Sequence, residues 1–248
     1  MTFKLDIPEL PAVVDGFLDH VNVIDGTGHQ LFNETDYQLP LDGFNLDVPA
    51  EGEQKVFDDT LDENTTTLFG AYRGMDSPLL LGEDTNGMVH AAYDRAESYS
   101  VGRKVQTLVL NPAAVDITPT PGTPVTNPRF ALGLLEQWAR DTSTFAGTIS
   151  GNALALHLVE DAVKGMKTIL GTDVFLASGY GSTGPDARVA GAGQAWLYIH
   201  GRVNVWRSPR GKDTHAPDYR ANRNIALAEG LYAASVDSFV AAVLVGTN

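Results

Sequence analysis

AGQAWLYIHGRVNVWRSP at residues 192–209 and RANRNIALAEGLYAASVDSFVAAVLV at residues 220–245 decide how this chain folds. The first holds two apolar runs, AWLYIH and RVNVW, on either side of Gly201, and their aromatic and β-branched residues suit a pleated, half-buried surface. Period-2 alternation puts Trp196, Tyr198 and His200 on one face, with Leu197 and Ile199 on the other. The second stretch supplies two more strands, IALAEGLYAASV and FVAAVLV, and TDVFLAS at 172–178 adds a further one. The last third is therefore rich in β-structure. Its connections, GYGSTGPDARVAGAGQ at 179–194 and RSPRGKDTHAPDYRANRN at 207–224, read as long loops.

Upstream the pattern turns helical. Thr85 or Asn86 caps a helix running to about Lys104, with Met88, Ala91, Ala92, Ala96 and Tyr99 recurring at intervals of three and four. Leu108-Val109-Leu110 then leads into DITPTPGTPVTNP, whose prolines exclude a helix or a central strand and predict a loop or hinge. Asn127-Pro128 supplies a cap and first helical position, and Leu132, Leu135, Trp138 and Ala139 form an apolar stripe on a second helix ending near Asp141. The alternation in ALALHLVEDAVKGM at 153–166 predicts a strand that passes into a helix from about Glu160, with Lys164 and Lys167 at its end.

With 248 residues, 43% of them hydrophobic, the chain can bury a substantial core. It has no cysteine, which excludes disulfides, thiolate metal sites and cysteine nucleophiles. No window offers the roughly 18 uninterrupted apolar residues of a membrane span. The start, MTFKLDIPELPAVVDGF, has the pattern of neither a signal nor a transit peptide, so a soluble protein made and kept inside a cell is expected. The net charge is −14, and residues 1–64 carry −13 of it, from 15 acids against Lys4 and Lys55. Broad nucleic-acid binding is not expected from such a balance. The acidic stretch still contains Phe17, Leu18, Leu31, Phe32, Tyr37, Phe44, Leu46 and Phe57, too many large apolar groups for a solvated tail. It reads as an extended arm with a few strands, Val21–Ile24 among them, and Asp25-Gly26 as a turn.

Reactive constellations do not stand out. GYGSTG at 179–184 lacks the Gly-Lys-Ser/Thr ending of a phosphate loop. The six histidines have no metal-site spacing; His157 reads as a half-buried structural residue and His200 as a strand residue. Acid pairs such as Asp58-Asp59 and Glu160-Asp161 suit solvated surface better than catalysis. The reading is of a chain that is not an enzyme and needs no cofactor or metal; a hydrolase using His157, His200 and His215 on a metal is the enzymatic alternative. Charge asymmetry points to association instead. Arg202, Arg207, Arg210, Lys212, Arg220 and Arg223 face only Asp213 and Asp218 in the same stretch, opposite in sign to the arm. These six, with Phe17, Phe32, Phe44 and Trp206, are the candidate interface residues, the arm of one copy meeting the basic segment of another.

The order of these elements resembles the major capsid proteins of tailed bacteriophages, the Hong Kong 97 fold shared with encapsulin shells. AGQAWLYIHGRVNVWRSP, with its Gly-x-Val-x-Val-x-Arg strand, and the later Asn224 and Ala226-Leu227-Ala228-Glu229 are similar to virion proteins of actinobacterial phages, and LFGAYRGMDSP at 68–78 is a second point of likeness. The resemblance covers about residues 65–248. It implies an α+β fold with an N-terminal arm at 1–65, a spine helix and peripheral region at 66–126, and an axial α/β region with closing strands at 127–248. It further implies self-assembly in pentamers and hexamers into a shell around a genome, non-specific contact with packaged DNA, contacts with other virion proteins, no membrane, and a virion location after assembly in the host cytoplasm. A minor protein of the head, neck or decoration layer is the alternative within the same resemblance.

Overall fold

Two five-stranded sheets share the chain, and the strands that build them explain why the last third is so apolar. The computed structural model describes residues 16–26, 36–38, 63–78, 85–143, 146–209, 214–218, 223–237 and 239–247. In chain order the strands are β1 (Asn22–Asp25), β2 (Asp36–Gln38), β3 (Glu63–Thr65), β4 (Thr67–Pro78), β5 (Val115–Asp116), β6 (Thr148–Gly151), β7 (Asp173–Leu176), β8 (Gln194–His200), β9 (Val203–Arg207), β10 (Thr214–Asp218), β11 (Arg223–Val236) and β12 (Val240–Gly246). The helices are α1 (Thr85–Val105), α2 (Pro128–Thr142) and α3 (Ala153–Val159).

The first sheet runs β1-β9-β11-β10, with the long β4 also paired along β11, and the second runs β5-β12-β8-β6-β7. β2 and β3 form a separate antiparallel pair. Gly201 separates β8 from β9 as expected, but the two are not a hairpin: they belong to different sheets. The chain leaves the second sheet at Gly201-Arg202 and returns at Asp237. These crossings lie side by side, Gly201 N donating to Phe239 O (3.0 Å) and Asp237 N to Arg202 O (2.8 Å). Residues 127–248 thus contribute strands to both sheets.

The second sheet is covered on both faces, which is why β8 and β12 are almost wholly apolar. On one face Trp196, Tyr198, Val240, Ala242 and Leu244 pack with Val101, Val105 and Leu110 from the α1 side. On the other, Leu197, Ile199, Ala241, Val243 and Val245 meet Leu132, Leu135 and Ala139 of α2 and Ala155 and Val159 of α3. The alternation read from 196–200 is therefore the real division between two cores. A third, smaller cluster joins Val89 and Tyr93 of α1 to Ala226 and Ala228 of β11.

Several local expectations are corrected. α1 ends at Val105, as expected, but a π turn at Gln106–Leu110 and a further helical turn at Asn111–Ala113 continue the coil, so Leu108–Leu110 is helical and not the entry to a loop. Its buried face is Val89, Tyr93, Glu97, Val101 and Val105, whereas Met88, Ala91, Ala96 and Tyr99 face outward. Ala153–Val159 is a helix and not a strand, because the Asn152 side chain caps it by accepting from Ala155 N (2.9 Å), and Ala and Leu are strong helix formers. That helix finishes where one was expected to begin. Thr214–Asp218, taken as loop, is a strand on β11. α2 behaves as read, Asn127 Oδ1 accepting from Phe130 N (3.2 Å) at its start. The proline-rich stretch is mostly loop, although Val115–Asp116 and Val125 still pair with β12.

Candidate functional site

Of the acidic arm, residues 16–26 lie against the body of their own chain. Phe17 is fully buried, with its ring 6.3 Å from Phe175 and 6.0 Å from Tyr180. Its position is fixed by backbone donors: Phe17 N reaches Ser178 Oγ (3.1 Å) and Leu18 N reaches Ser98 Oγ (3.0 Å). Gly102 must be glycine here, since a Cβ would collide with the Ser178 carbonyl and crowd the Phe17 ring. β1 then pairs in parallel with β9, Val23 opposite Val205 and Asp25 opposite Arg207. Phe17 is accordingly a core anchor within its own chain. The expected turn at Asp25-Gly26 closes no hairpin on β1, which pairs with β9.

Arg207 ties this segment to the long helix. Its Nε donates to Asp25 Oδ1 (2.9 Å) and its Nη1 to Glu97 Oε1 (3.4 Å). Glu97 is buried and also accepts from Tyr232 OH (2.7 Å), whose oxygen is 2.7 Å from Tyr93 OH. The hydrogen bond and charge of Arg207 hold the Asp25 carboxyl below its ordinary range. Burial pushes the Tyr232 hydroxyl well above its usual value, so it stays a donor. Among the described residues, opposite charge in the arm and in the 202–223 segment meets at Asp25 and Arg207, within a single chain.

The glycine-rich stretch at 179–184 wraps a side chain and not a phosphate. Gln106, fully buried at the π turn, accepts from Gly181 N (2.6 Å) and donates to Gly181 O (3.3 Å), Thr183 O (3.1 Å) and Tyr198 OH (3.2 Å). Tyr198 OH in turn donates to Asn111 Oδ1 (2.7 Å). Gly179 takes φ +95° where its backbone touches the Tyr99 carbonyl, which leaves no room for a side chain.

His200 is buried beside this seam. Its Nδ1 is 2.8 Å from Gly201 O, so it carries the proton there, and Nε2 accepts from Ser150 Oγ at 2.9 Å. Tyr180 OH is 3.4 Å from the same serine oxygen. Burial lowers the His200 pKa to about 4, so the ring is neutral near pH 7. His157 is not half-buried as expected: it is exposed on α3, paired with Glu160 Oε2 at 2.9 Å. These two histidines sit in unlike places, and among the described residues no group of three metal-ligating side chains gathers.

Of the remaining interface candidates, Arg202 is exposed and Trp206 half-buried, opposite Ile24 and Ala233 in the sheet. Arg223 opens β11, paired with Pro78 and Asp218. Phe32, Phe44, Arg210, Lys212 and Arg220 lie outside the described residues. Trp196 is core, and Trp138 packs edge-on to Phe239. No helix among the described residues is long and apolar enough to cross a membrane.

Sequence reasoning missed one surface. Between α3 and β7 the chain makes a tight turn, Lys164 N donating to Lys167 O (2.8 Å) and Lys167 N to Lys164 O (3.2 Å). Gly165 and Met166 at its corner both have φ 58°. Beyond it Ile169 and Leu170 are exposed, by 90% and 58%. The signal was available as Met-Lys-Thr-Ile-Leu-Gly, an apolar pair in a turn-rich stretch.

No protein-family model matches this sequence, and no match is found among curated proteins. Solved structures do match along essentially the whole chain. A chain of Microbacterium phage Oxtober96 is similar with TM-score 0.61 and 12% identity, covering 100% of this chain and 96% of that one. The capsid of the native GTA particle, computed with C5 symmetry, gives TM-score 0.59 and 10% identity over 99% of this chain and 96% of that one. Mycobacterium phage Che8 gives TM-score 0.54 and 11% identity over 97% and 98%. The chain has the Hong Kong 97-type α+β capsid fold.

Proposed function

We propose that this chain is the repeating subunit of a phage-type capsid shell, a structural protein whose activity resides in contacts between copies. The observation that carries the reading is the breadth of the match: similarity to capsid chains extends over nearly the full length of both partners, with both sheets and the long helix included. The buried polar groups support it too. Glu97, Gln106 and His200 are each spent on holding elements together, a use suited to a rigid building block.

In this reading pentamers and hexamers close the shell, other virion proteins bind its surface, and the particle is a virion that encloses a genome. The exposed Arg202 and the basic residues Arg210, Lys212 and Arg220 are proposed to meet the acidic arm of a neighbour, while Arg207 is already engaged within its own chain. Each exposed pair adds only about 0–1 kcal/mol, so the arrangement orients copies more than it binds them.

Electron microscopy of the purified recombinant chain, with light scattering on the same sample, tests the reading. Closed hollow particles are expected. A monodisperse monomer at high concentration overturns it, and a single small ring favours a neck or decoration protein instead. Assembly should weaken as salt rises; complete indifference to salt would remove the arm-to-basic-segment pairing while leaving the shell.

A further inference from the structure

We propose that Ile169 and Leu170, carried by the turn at residues 163–173, are the knob of a head-to-tail contact between copies of this chain, and that the apolar groove beside the turn receives the knob of the next copy. This deepens the shell reading and rests on it.

The knob has the marks of a surface kept for contact. Ile169 is 90% exposed, more than any other large apolar residue among those described, and its neighbour Leu170 is 58% exposed. At the turn corner Met166 sits at φ 58°, a conformation that glycine or asparagine adopts readily and a long side chain does not. Nothing in the turn's own hydrogen bonds requires a methionine there. The strain is explained if its side chain is needed, and Met166 does line the groove, 47% exposed.

The groove holds about 440 Å³ and is walled by Ala153, Leu156, Val163, Met166 and Leu176. Among the described residues nothing fills it. Leu170, by contrast, borders a separate cleft with Glu136 and Arg140 at the end of α2. Val163 and Met166 at the near end of the turn wall the groove, whereas Ile169 and Leu170 at its far end are not among the groove's lining, so the exposed pair does not fill the groove of its own chain. Two unlike patches on one subunit make a heterologous contact, which closes rings when the rotation allows.

Charge selects a second copy as the occupant. The groove is rimmed by Glu160, which also holds His157, with Asp161 exposed beside it, and the turn that bears the knob carries the exposed Lys164. A knob entering a neighbour's groove brings that lysine to the neighbour's acidic step, whereas a segment as acidic as residues 1–15 would meet like charge.

Two full-length variants test this by mass photometry, with melting curves alongside. Ile169→Asp disables the knob at an exposed position. Ala153→Glu disables the groove, and an acid in the first turn of α3 suits that helix. Each should raise the concentration needed for assembly by about tenfold or more, with the melting temperature of the subunit unchanged. Mixed one to one, the two should give a heterodimer that neither gives alone, because one intact knob and one intact groove remain between them. If wild type assembles and both variants assemble equally well, or the mixture holds no heterodimer, the contact is overturned while the shell reading stands. A wild-type chain that never assembles overturns both. If Ala153→Glu lowers the melting temperature of the isolated subunit and Ile169→Asp leaves assembly untouched, the groove belongs to the chain's own arm, and the proposal fails.

Discussion

The two faces of the second sheet are buried by different chemistry. Under α2 and α3 the contact is carbon on carbon: Leu197, Ile199, Val243 and Val245 meet Leu132, Leu135 and Val159, with Glu136 reaching Thr168 and Thr172 only at the edge. Toward α1 the same strands turn Tyr198 and His200 inward, where they join Gln106, Ser150 and Tyr180 in a hydrogen-bonded seam. A second polar network on α1, Glu97 with Tyr232 and Arg207, ties the helix to the first sheet and to the arm. Apolar faces are tolerant of exchange, while a polar seam specifies one arrangement because any missing partner leaves a buried group unsatisfied. The side that joins arm, helix and both sheets is the side that carries the seam.

The comparison can be broken most forcefully on the apolar side. Leu135 is fully buried, and Leu135→Ala should cost about 2–5 kcal/mol in urea unfolding, set by the cavity it leaves. On the polar side Glu97→Ala should cost about 2–3 kcal/mol, because Arg207 loses one acceptor and the Tyr232 hydroxyl loses its own. The telling difference is repair. A larger aliphatic such as Met at 135 should recover most of the loss, and an isosteric apolar residue such as Leu at 97 should not, since Arg207 would lose a buried acceptor and Tyr232 would keep only Tyr93 as a partner. Equal repair at both sites would erase the distinction drawn here.

The seam also predicts a dependence on pH that the apolar face lacks. His200 has a folded pKa near 4 against 6.5 for the free side chain, so between these values the unfolded chain holds a proton that the native state refuses. Stability from this group is fully present above pH 6.5 and declines as pH falls toward 4, by about 2 kcal/mol at pH 5. His200→Gln should be less stable at pH 7 and have a flatter profile from pH 7 to 5. A wild-type curve flat across that range would show that the ring is not held neutral.

How legible each region was in the sequence follows from the same contrast. The stripe of α2 was read correctly because its buried residues, Leu132, Leu135 and Ala139, are apolar at helical spacing. β7, β8, β9, β11 and β12 were legible for the same reason, down to which residues of β8 share a face, whereas β4 and β6 carry no such apolar run and were not read as strands. The span of α1 was found as well, yet its buried face was not, because Tyr93 and Glu97 are hidden there and polarity alone places them outside. β10 was missed since a five-residue edge strand containing Pro217 is defined by pairing with β11, a long-range fact. For α3, alternating Ala and Leu imitates a strand, and the Asn152 cap was the clue to its start. The knob at Ile169 was passed over because an apolar pair in a turn-rich stretch gains its meaning from exposure, which composition does not report.

The smallest expected effect sharpens the comparison most cleanly. Periodicity on α1 favours Met88 and Tyr99 as the buried stripe, while the structure exposes them by 37% and 52% and buries Val101 completely. Met88→Ser and Tyr99→Ser should each change the stability of the isolated subunit by less than about 0.5 kcal/mol, as ordinary surface substitutions do. Val101→Ala, a smaller change in chemistry, should cost about 1–3 kcal/mol, because it empties space beside Phe17 in the core. If the serine variants proved the more damaging, α1 would be rotated about its axis from the orientation described. Its seam with Tyr232 and Arg207 would then be lost along with the account of how the arm is anchored. The ordering of three exchanges on one helix therefore tests the face, the seam and the anchor together.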